Sequence, residues 1–192
     1  MKTDWTEQWG QLYLQQDEPT QYGNDVTSYR RAGIYLGGPG IVRDWGCGST
    51  FFRNFCGAPY EGVDGAVGSI PFGALVRDLR TAKFTPTPKA HMRHVLEHNW
   101  EWRIILRNFM NSFTDRAVIT LFLPLSDGND KHDPRAALVE KPSDPPGLHL
   151  SKLSFFHNIS VRVPGCKVHS EEMHTDVAPY NWEQMFFLEK EM

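Results

Sequence analysis

The sequence predicts an α/β fold in which helices cover a mostly parallel sheet and an antiparallel hairpin ends the chain. Short apolar runs that end in carboxylates alternate with stretches of helical period. The run from Ala117 to Leu123 is β-branched and apolar throughout, as in a strand buried on both faces. Two further strand candidates, 159–163 and 185–188, follow near the end of the chain. With 192 residues, the chain is expected to form one domain with the three layers of an α/β sandwich.

The first elements are predicted to be helices. Residues 4–16 place aromatic and apolar side chains on one helical face, and these are Trp5, Trp9, Leu12 and Tyr13. A helix of this kind either packs on the core or covers a ligand site, and the spacing alone leaves both open. A second helix is expected over 29–36, before glycines at 37–40 break the chain. We expect residues 1–36 to form a helical lid on the domain.

The middle of the chain alternates strands and helices. Four strand candidates are 41–44, 59–64, 74–79 and 89–96. A helical period over 100–113 precedes the buried strand at 117–123. Residues 124–147 are rich in Pro, Asp and Gly and predict a long loop or insertion. A short helix is expected over 148–156.

Composition and charge narrow the function classes. Hydrophobic residues make up 40% and charged residues 22%, which is ordinary for a soluble globular protein. A formal net charge of -3 gives no case for attraction to nucleic acid or to a membrane surface. No apolar run approaches the roughly 20 residues of a membrane span, and the N-terminus lacks a signal-peptide pattern. Cys47, Cys56 and Cys166 lack disulfide or metal spacing, so we expect reduced thiols and a cytoplasmic protein.

The most informative feature is a glycine turn after the first strand candidate. Gly46, Cys47 and Gly48 follow the strand, and two glycines without Cβ atoms let the backbone approach a ligand closely. Asp64 lies at the end of the next strand candidate, 20 residues beyond Asp44. A carboxylate there can accept hydrogen bonds from both hydroxyls of a ribose. The turn therefore predicts a site for a nucleotide-type ligand.

The acidic residues around the turn indicate which ligand. Four carboxylates are expected at the carboxyl edge of the sheet, and they are Asp44, Asp64, Asp78 and Glu97. Like charges would repel a pyrophosphate, and the dinucleotide motif is incomplete because Phe51 takes its third glycine position. S-adenosylmethionine, with a sulfonium, an ammonium, a ribose diol and no phosphate, suits such an edge.

Two segments resemble a known family. The segment 44–50, Asp-Trp-Gly-Cys-Gly-Ser-Thr, resembles the first motif of the class I S-adenosylmethionine-dependent methyltransferases. The segment 95–99, Val-Leu-Glu-His-Asn, is similar to the "LEH" signature of one branch of small methyltransferases. The resemblance runs over about 29–123 and implies a Rossmann-like fold, with S-adenosylmethionine as cofactor and S-adenosylhomocysteine as product. Thr50 departs from the motif, where a third glycine is usual, and 64–78 is too short for a full helix.

The resemblance also implies roles for individual residues. Those expected to contact the cofactor are Tyr22, Tyr29, Asp44, Gly46, Cys47, Gly48, Asp64, Gly65, Asp78, Leu79, Leu96 and Glu97. The glycine turn would approach the methionine part, which Tyr22 or Tyr29 would close. Asp64 would hold the ribose, and Asp78 with Leu79 would flank the adenine. The backbone around Leu96 and Glu97 would lie under the sulfonium.

His98 is the candidate catalytic residue, because histidine titrates near neutral pH and an oxygen acceptor usually needs a base. It either acts on the acceptor or only hydrogen-bonds the backbone, and the sequence leaves both open. His91 and His94 are expected to be buried structural groups, and the eight histidines show no metal-binding pair, so no metal is expected. The acidic stretch 171–176 is expected to be a solvated loop.

The expected function is methyl transfer to an oxygen or nitrogen of a small or medium-sized acceptor. Base methylation of nucleic acid is disfavoured, since neither an Asn/Asp-Pro-Pro-aromatic motif nor a Pro-Cys pair occurs. Two alternatives stay open. One is a non-catalytic S-adenosylmethionine-binding regulatory protein. The other is a nucleic-acid or nucleotide methyltransferase recruited through 124–147.

Overall fold

The computed structural model describes residues 5–20, 25–99, 101–123, 139–140, 148–149, 165–176 and 182–191. Its α-helices are α1 (Trp5–Tyr13), α2 (Thr27–Leu36) and α3 (Trp102–Met110). Short 3-10 helices span Phe51–Asn54, Val67–Phe72 and Leu96–His98. The strands are β1 (Val42–Trp45), β2 (Tyr60–Asp64), β3 (Leu75–Val76), β4 (Thr87–Arg93), β5 (Phe113–Leu123), β6 (Val139–Glu140), β7 (Leu148–His149), β8 (Cys166–His174) and β9 (Trp182–Lys190). None of the described helices is long and apolar enough to cross a membrane.

In the described part of the chain, seven strands form one sheet in the order β3-β2-β1-β4-β5-β9-β8. The pairs among β1 to β5 are parallel, whereas β9 runs antiparallel to both β5 and β8. The strands β6 and β7 form a separate antiparallel pair. The predicted fold class, a mostly parallel α/β sheet with a C-terminal antiparallel hairpin, is confirmed.

Apolar side chains cover both faces of the sheet. On one face, Trp102, Ile105 and Phe109 of α3 belong to the same buried cluster as Trp45 and Met92 of the strands. On the other face, a second cluster holds Tyr29, Ala32, Leu36, Val42, Phe52, Val118, Met185 and Phe187. Neighbouring residues of a strand point to opposite faces of the sheet. Because both faces are covered, all four residues of β1 are buried. This packing fixes the carboxyl ends of β1, β2 and β4 beside one another.

Two predicted elements are shorter than expected, for local reasons. The third strand candidate, 74–79, is reduced to the two residues of β3. A 3-10 helix occupies 67–72, in the segment 64–78 that we predicted to be too short for a full helix. The fourth candidate, 89–96, ends at Arg93 because His94 adopts a left-handed backbone with φ of 53°. A residue in that conformation leaves the extended path that strand pairing requires.

Two of the C-terminal predictions are wrong where the structure describes them, and a third lies outside the described residues. The helix expected over 148–156 is wrong where the structure describes it, since β7 pairs with β6, which itself lies inside the expected 124–147 loop. The strand candidate 159–163 lies outside the described residues. Most of the stretch 171–176, expected as a loop, belongs to β8, the outer strand of the sheet. Charged side chains often protect such an edge and hide the alternation by which a strand is recognised.

Candidate ligand site at the carboxyl edge of the sheet

The glycine turn has the tight geometry that its sequence predicts. Gly46 and Gly48 have φ of 70° and 52°, and Thr50 is left-handed as well, at 61°. A Cβ atom on Gly46 would collide with a methyl group of Val95, so the turn and the segment after β4 touch without room for a side chain. The element beyond the turn is a 3-10 helix of four residues, 51–54, and not an α-helix. Thr50 stands where the family motif has its third glycine, and it adopts the left-handed conformation that glycine favours.

The N–H groups of the turn are used inside the protein. Gly46 and Cys47 both donate to the carbonyl oxygen of Val63, at 2.8 and 3.1 Å. Gly48 donates to Oδ2 of Asp64 at 2.8 Å. Phosphate sites need several N–H groups that point at the ligand. The N–H groups of residues 46–48 are therefore not free to form an anion nest.

Asp64 joins the end of β2 to the glycine turn. Its Oδ1 accepts a hydrogen bond from the N–H of Ala66 at 2.7 Å, and its Oδ2 accepts the one from Gly48. Burial raises the pKa of Asp64 to about 6, although the backbone donors act in the opposite direction. Each carboxylate oxygen has a second lone pair, so Asp64 retains acceptor capacity for ligand hydroxyls. Gly65, next in the chain, is half-buried beside Thr6.

Asp44, near the end of β1, is part of an internal hydrogen-bond network. Its Oδ1 lies 2.7 Å from Nδ1 of His91, and its Oδ2 accepts a hydrogen bond from the Tyr60 hydroxyl at 2.7 Å. The ring of His91 stacks on Phe52 with centroids 3.9 Å apart. Burial and the charge of Asp44 raise the pKa of Tyr60 far above its usual value, so the phenol stays a donor. His91 is 1% exposed, which confirms its predicted burial.

Asp78, which follows β3, has a charged partner within the protein as well. Its carboxylate is bound by the guanidinium of Arg80 at 2.7 Å, and Arg80 also reaches Glu101 at 2.9 Å. Leu79 packs into the core cluster next to α3. Asp44 is thus held in an internal hydrogen-bond network and Asp78 in a surface ion pair, so both carboxylates have partners within the protein. The predicted adenine contacts of Asp78 and Leu79 stay predictions.

Helix α1 contacts the glycine turn through Tyr13 and packs against the 3-10 helix 67–72. A Cβ on Gly48 would stand 3.0 Å from the hydroxyl of Tyr13, so that phenol lies directly above the turn. A Cβ on Gly68 would collide with the carbonyl of Gly10, so α1 and the 3-10 helix 67–72 meet backbone to backbone. Past the helix, the Ser49 hydroxyl both accepts from the Thr20 N–H and donates to its carbonyl, each at 2.9 Å.

A buried charge cluster that the sequence did not reveal lies at the end of β4. Arg93 donates to Glu183 of β9 at 2.6 Å and to the hydroxyl of Tyr29 at 2.9 Å. Nε2 of His94 lies 2.7 Å from Glu183. Burial and the Arg93 charge lower the pKa of His94, which keeps its imidazole neutral. Because β9 runs antiparallel to β5, its first residues lie at the carboxyl edge of the sheet. No local sequence pattern predicts that Glu183 of β9 pairs with Arg93 and His94.

The other predicted site residues lie close to these features. His98 is half-buried and meets the ring of Trp9 edge-on, with centroids 5.3 Å apart. Leu96 and Glu97 are buried in the 3-10 helix that follows β4. Tyr29 packs among the rings of Phe51, Phe52 and Phe55. Tyr22 lies outside the described residues.

Comparison with known proteins supports the fold. No family model and no curated protein matches the chain. Magnesium protoporphyrin IX methyltransferase from Synechocystis PCC 6803, solved with bound SAH, is 16% identical over 94% of this chain and 93% of that one, with a TM-score of 0.60. The [4+2]-cyclase SpnF is 11% identical over 97% and 96%, with a TM-score of 0.67. An S-adenosylmethionine-dependent methyltransferase from Mesorhizobium loti is 12% identical over 85% and 96%, with a TM-score of 0.61. The chain therefore has the Rossmann-like fold of the class I methyltransferases.

Proposed function

We propose that this chain is an S-adenosylmethionine-dependent methyltransferase that acts in the cytoplasm on an oxygen or nitrogen of a small or medium-sized acceptor. The observation that carries the proposal is the closure of Asp64 onto the turn from Gly46 to Gly48. In this fold, ligands bind outside the carboxyl ends of the strands, where that closure lies. The bound cofactors of similarly folded methyltransferases support the same ligand.

The turn and Asp64 fit this cofactor by their chemistry. The turn's N–H groups are engaged within the protein, so the site favours a ligand without phosphate. With a pKa of about 6, Asp64 is mostly ionised at neutral pH. A carboxylate forms stronger hydrogen bonds to hydroxyl groups than a neutral acceptor does. Asp64 would thus hold the ribose, and Gly46, Cys47 and Gly48 would lie against the methionine part.

The chain's contribution to methyl transfer would be positioning and the exclusion of water. When bound, S-adenosylmethionine supplies a methyl group on a sulfonium, and transfer is an in-line displacement by the acceptor. Helix α1 contacts the turn through Tyr13 and His98 through Trp9, which supports its role as part of the lid predicted over 1–36. The imidazole of His98 lies beside Trp9 and would accept the proton that an oxygen or nitrogen acceptor loses.

Isothermal calorimetry with S-adenosylhomocysteine tests the proposal. We expect one site of micromolar-range affinity, or about -8 kcal/mol. The change Asp64→Ala should weaken binding by about 1.5–3 kcal/mol, because the hydrogen bonds of a charged group are lost. Asp115→Asn, on the half-exposed start of β5, is the matched control and should bind like the wild-type chain. A wild-type chain that binds neither S-adenosylhomocysteine nor S-adenosylmethionine contradicts the proposal.

The role of His98 has its own test. His98→Gln should retain cofactor binding and slow the transfer of a labelled methyl group by about 10²–10⁴-fold, the usual contribution of general acid–base catalysis. The acceptor for this assay comes from a screen of phenols, carboxylic acids and amines with labelled S-adenosylmethionine. Transfer at the wild-type rate would leave His98 with a positional role only.

A further inference from the structure

Strand β8 forms an open edge of the sheet. Within the described part of the chain it is the last strand in the sheet order, and its inner side pairs with β9. It has nine residues, whereas β3 at the opposite edge has two. Its exposed side chains are Lys167, His169, Ser170, Glu172 and His174. A long edge strand presents N–H and C=O groups that can pair with a further strand.

The hydrogen bonds to β9 fix which residues of β8 face outward. Just before β8, the carbonyl of Gly165 accepts from the N–H of Glu191 at 2.8 Å, and these two residues continue the register of the pair. Opposed residues that share hydrogen bonds alternate along an antiparallel pair with residues that do not. The odd-numbered residues of β8 therefore bond to β9, and Val168, Ser170 and Glu172 direct their backbone groups outward. No hydrogen bond joins these outward groups to another residue that the structure describes.

A second copy of β8 fits this edge in an antiparallel register. Hydrogen bonds between the two copies require that even-numbered residues lie opposite even-numbered residues. With Ser170 opposite Ser170 at the two-fold axis, Val168 lies opposite Glu172. The whole strand, Cys166–His174, is then paired, because Ser170 is its middle residue. Every other register that the backbone allows pairs a shorter stretch.

The charges of β8 favour the same arrangement. Its basic side chains, Lys167 and His169, precede the midpoint, and its acidic side chains follow it. In the register centred on Ser170, His169 lies opposite Glu171 of the second copy, and Lys167 is a diagonal neighbour of the same glutamate. Arg31 of α2 donates to both carboxylate oxygens of Glu171, at 2.9 and 2.6 Å, which lowers the pKa of Glu171 and keeps it ionised. An in-register parallel pair would instead place like charges opposite each other.

We propose that two copies of this chain associate through β8, which pairs antiparallel with its own copy about a two-fold axis at Ser170. The sheets of the two copies then form one continuous sheet across the interface. A contact of this kind is closed, because each copy uses the same edge and a third copy finds that edge occupied. The inference concerns assembly and does not depend on the proposed function.

The mass of the chain in solution tests the inference. Analytical ultracentrifugation from about 1 μM to about 1 mM covers the dissociation constants of small interfaces and should show a monomer that converts to a dimer. Ser170→Pro should stay monomeric, because proline removes the outward N–H at the axis and no hydrogen bond to β9. Ser170→Ala, which keeps that N–H, is the matched control and should dimerise like the wild type. Far-UV circular dichroism checks that both variants fold.

Two further variants test the charges and the register. His169→Glu places a carboxylate opposite Glu171 twice in the dimer and should weaken it by about 3–30-fold, whereas His169→Gln should weaken it by less than about threefold. Ser170→Cys should form a disulfide-linked dimer with oxidised glutathione, because residues opposed at the axis have Cα atoms about 5.5 Å apart. Lys167→Cys is the control and should not, since its counterpart lies about 20 Å away along the strand.

Three results would overturn the inference. One is a wild-type chain that stays monomeric over the whole concentration range, whether the edge binds another extended peptide or nothing. The second is a dimer that persists in folded Ser170→Pro, because another surface then forms it. The third is a wild-type dimer in which Ser170→Cys forms no disulfide or Lys167→Cys forms one as readily, and this result decides the matter if Ser170→Pro does not fold.

Discussion

A single methyl group on Gly68 should detach helix α1 from the rest of the domain. A Cβ at this position would collide with the carbonyl oxygen of Gly10 and stand 2.8 Å from its carbon atom. Both partners are backbone atoms, so no side chain can turn away, and α1 must shift. The backbone of Gly68 is not left-handed, so the substitution adds no conformational strain of its own. The perturbation therefore acts on the docking of α1 alone.

The size of the effect follows from two opposing terms. Overpacking of a tight contact costs about 1–3 kcal/mol. Replacing glycine by alanine reduces the freedom of the unfolded chain and returns about 0.4–1 kcal/mol. The net cost of about 1–2 kcal/mol should lower the docked fraction of α1 relative to the undocked one by about 5–30-fold. Because Tyr13 and Trp9 move with the helix, the cover over the glycine turn should open with it.

Hydrogen exchange of the amides in α1 is the assay, with tryptophan fluorescence as a second probe. Gly68→Ala should increase exchange in α1 and leave the amides of β1, β4 and β5 protected. Gly10→Ala is the matched control on the other side of the same contact, since its Cβ would lie at an ordinary 3.6 Å from the Gly68 nitrogen. In Gly10→Ala, the amides of α1 should be at least as well protected from hydrogen exchange as in the wild type, because alanine favours a helix. Wild-type protection in Gly68→Ala, or equal loss in both variants, would refute the reasoning.

Three further predictions concern the turn, the carboxylate and the buried charges. Gly46→Ala should lower the free energy of unfolding by about 2–5 kcal/mol, because the backbone there is left-handed and the new methyl group would clash with Val95. Gly57→Ala is the control, since its Cβ would meet nothing within 4 Å, and it should change the free energy of unfolding little. Urea denaturation measures both variants. Cofactor affinity should fall as the pH drops from 7 to 5, with a midpoint near 6, because protonation removes the charge of Asp64; calorimetry across this range that shows a flat affinity would contradict it. Glu183→Gln should cost about 3–5 kcal/mol in a urea titration, since it leaves Arg93 buried without its counter-charge, whereas Glu189→Gln, exposed on the same strand, should stay within about 0.5 kcal/mol.

The titration of Asp64 also affects the fold itself, in the opposite sense. Burial raises its pKa to about 6, well above the usual value of an aspartate, so between these two values the folded chain holds a proton that the unfolded chain has lost. The contribution of this group to stability is therefore present at low pH and is lost as the pH rises through about 6. The ionised form of Asp64 is the one that suits a ligand. At neutral pH, the ionised carboxylate therefore lowers the stability of the fold.

The sequence predicted the parts of the fold and site that depend on neighbours in the chain. The apolar runs of β1, β2 and β5 and the helical periods of α1 to α3 are local patterns, and each appears in the structure. The left-handed turn at Gly46 and Gly48, with Asp64 at the end of the next strand, also follows from local spacing.

The features that depend on distant partners were not predictable in this way. The residues around Asp44 in the sequence do not indicate that His91 and Tyr60 bind its carboxylate. Likewise, Arg93 and Glu183 meet only because β9 inserts between β5 and β8 with its first residues at the carboxyl edge. Strand β8 was missed because its charged, exposed side chains hide a strand pattern.

The most direct test of the central claim is a crystal structure of the chain with S-adenosylhomocysteine. The account predicts the ribose hydroxyls within hydrogen-bond distance of the Asp64 carboxylate and the methionine part against the turn from Gly46 to Gly48. A ligand bound elsewhere on the chain, or a ribose without contact to Asp64, would contradict it.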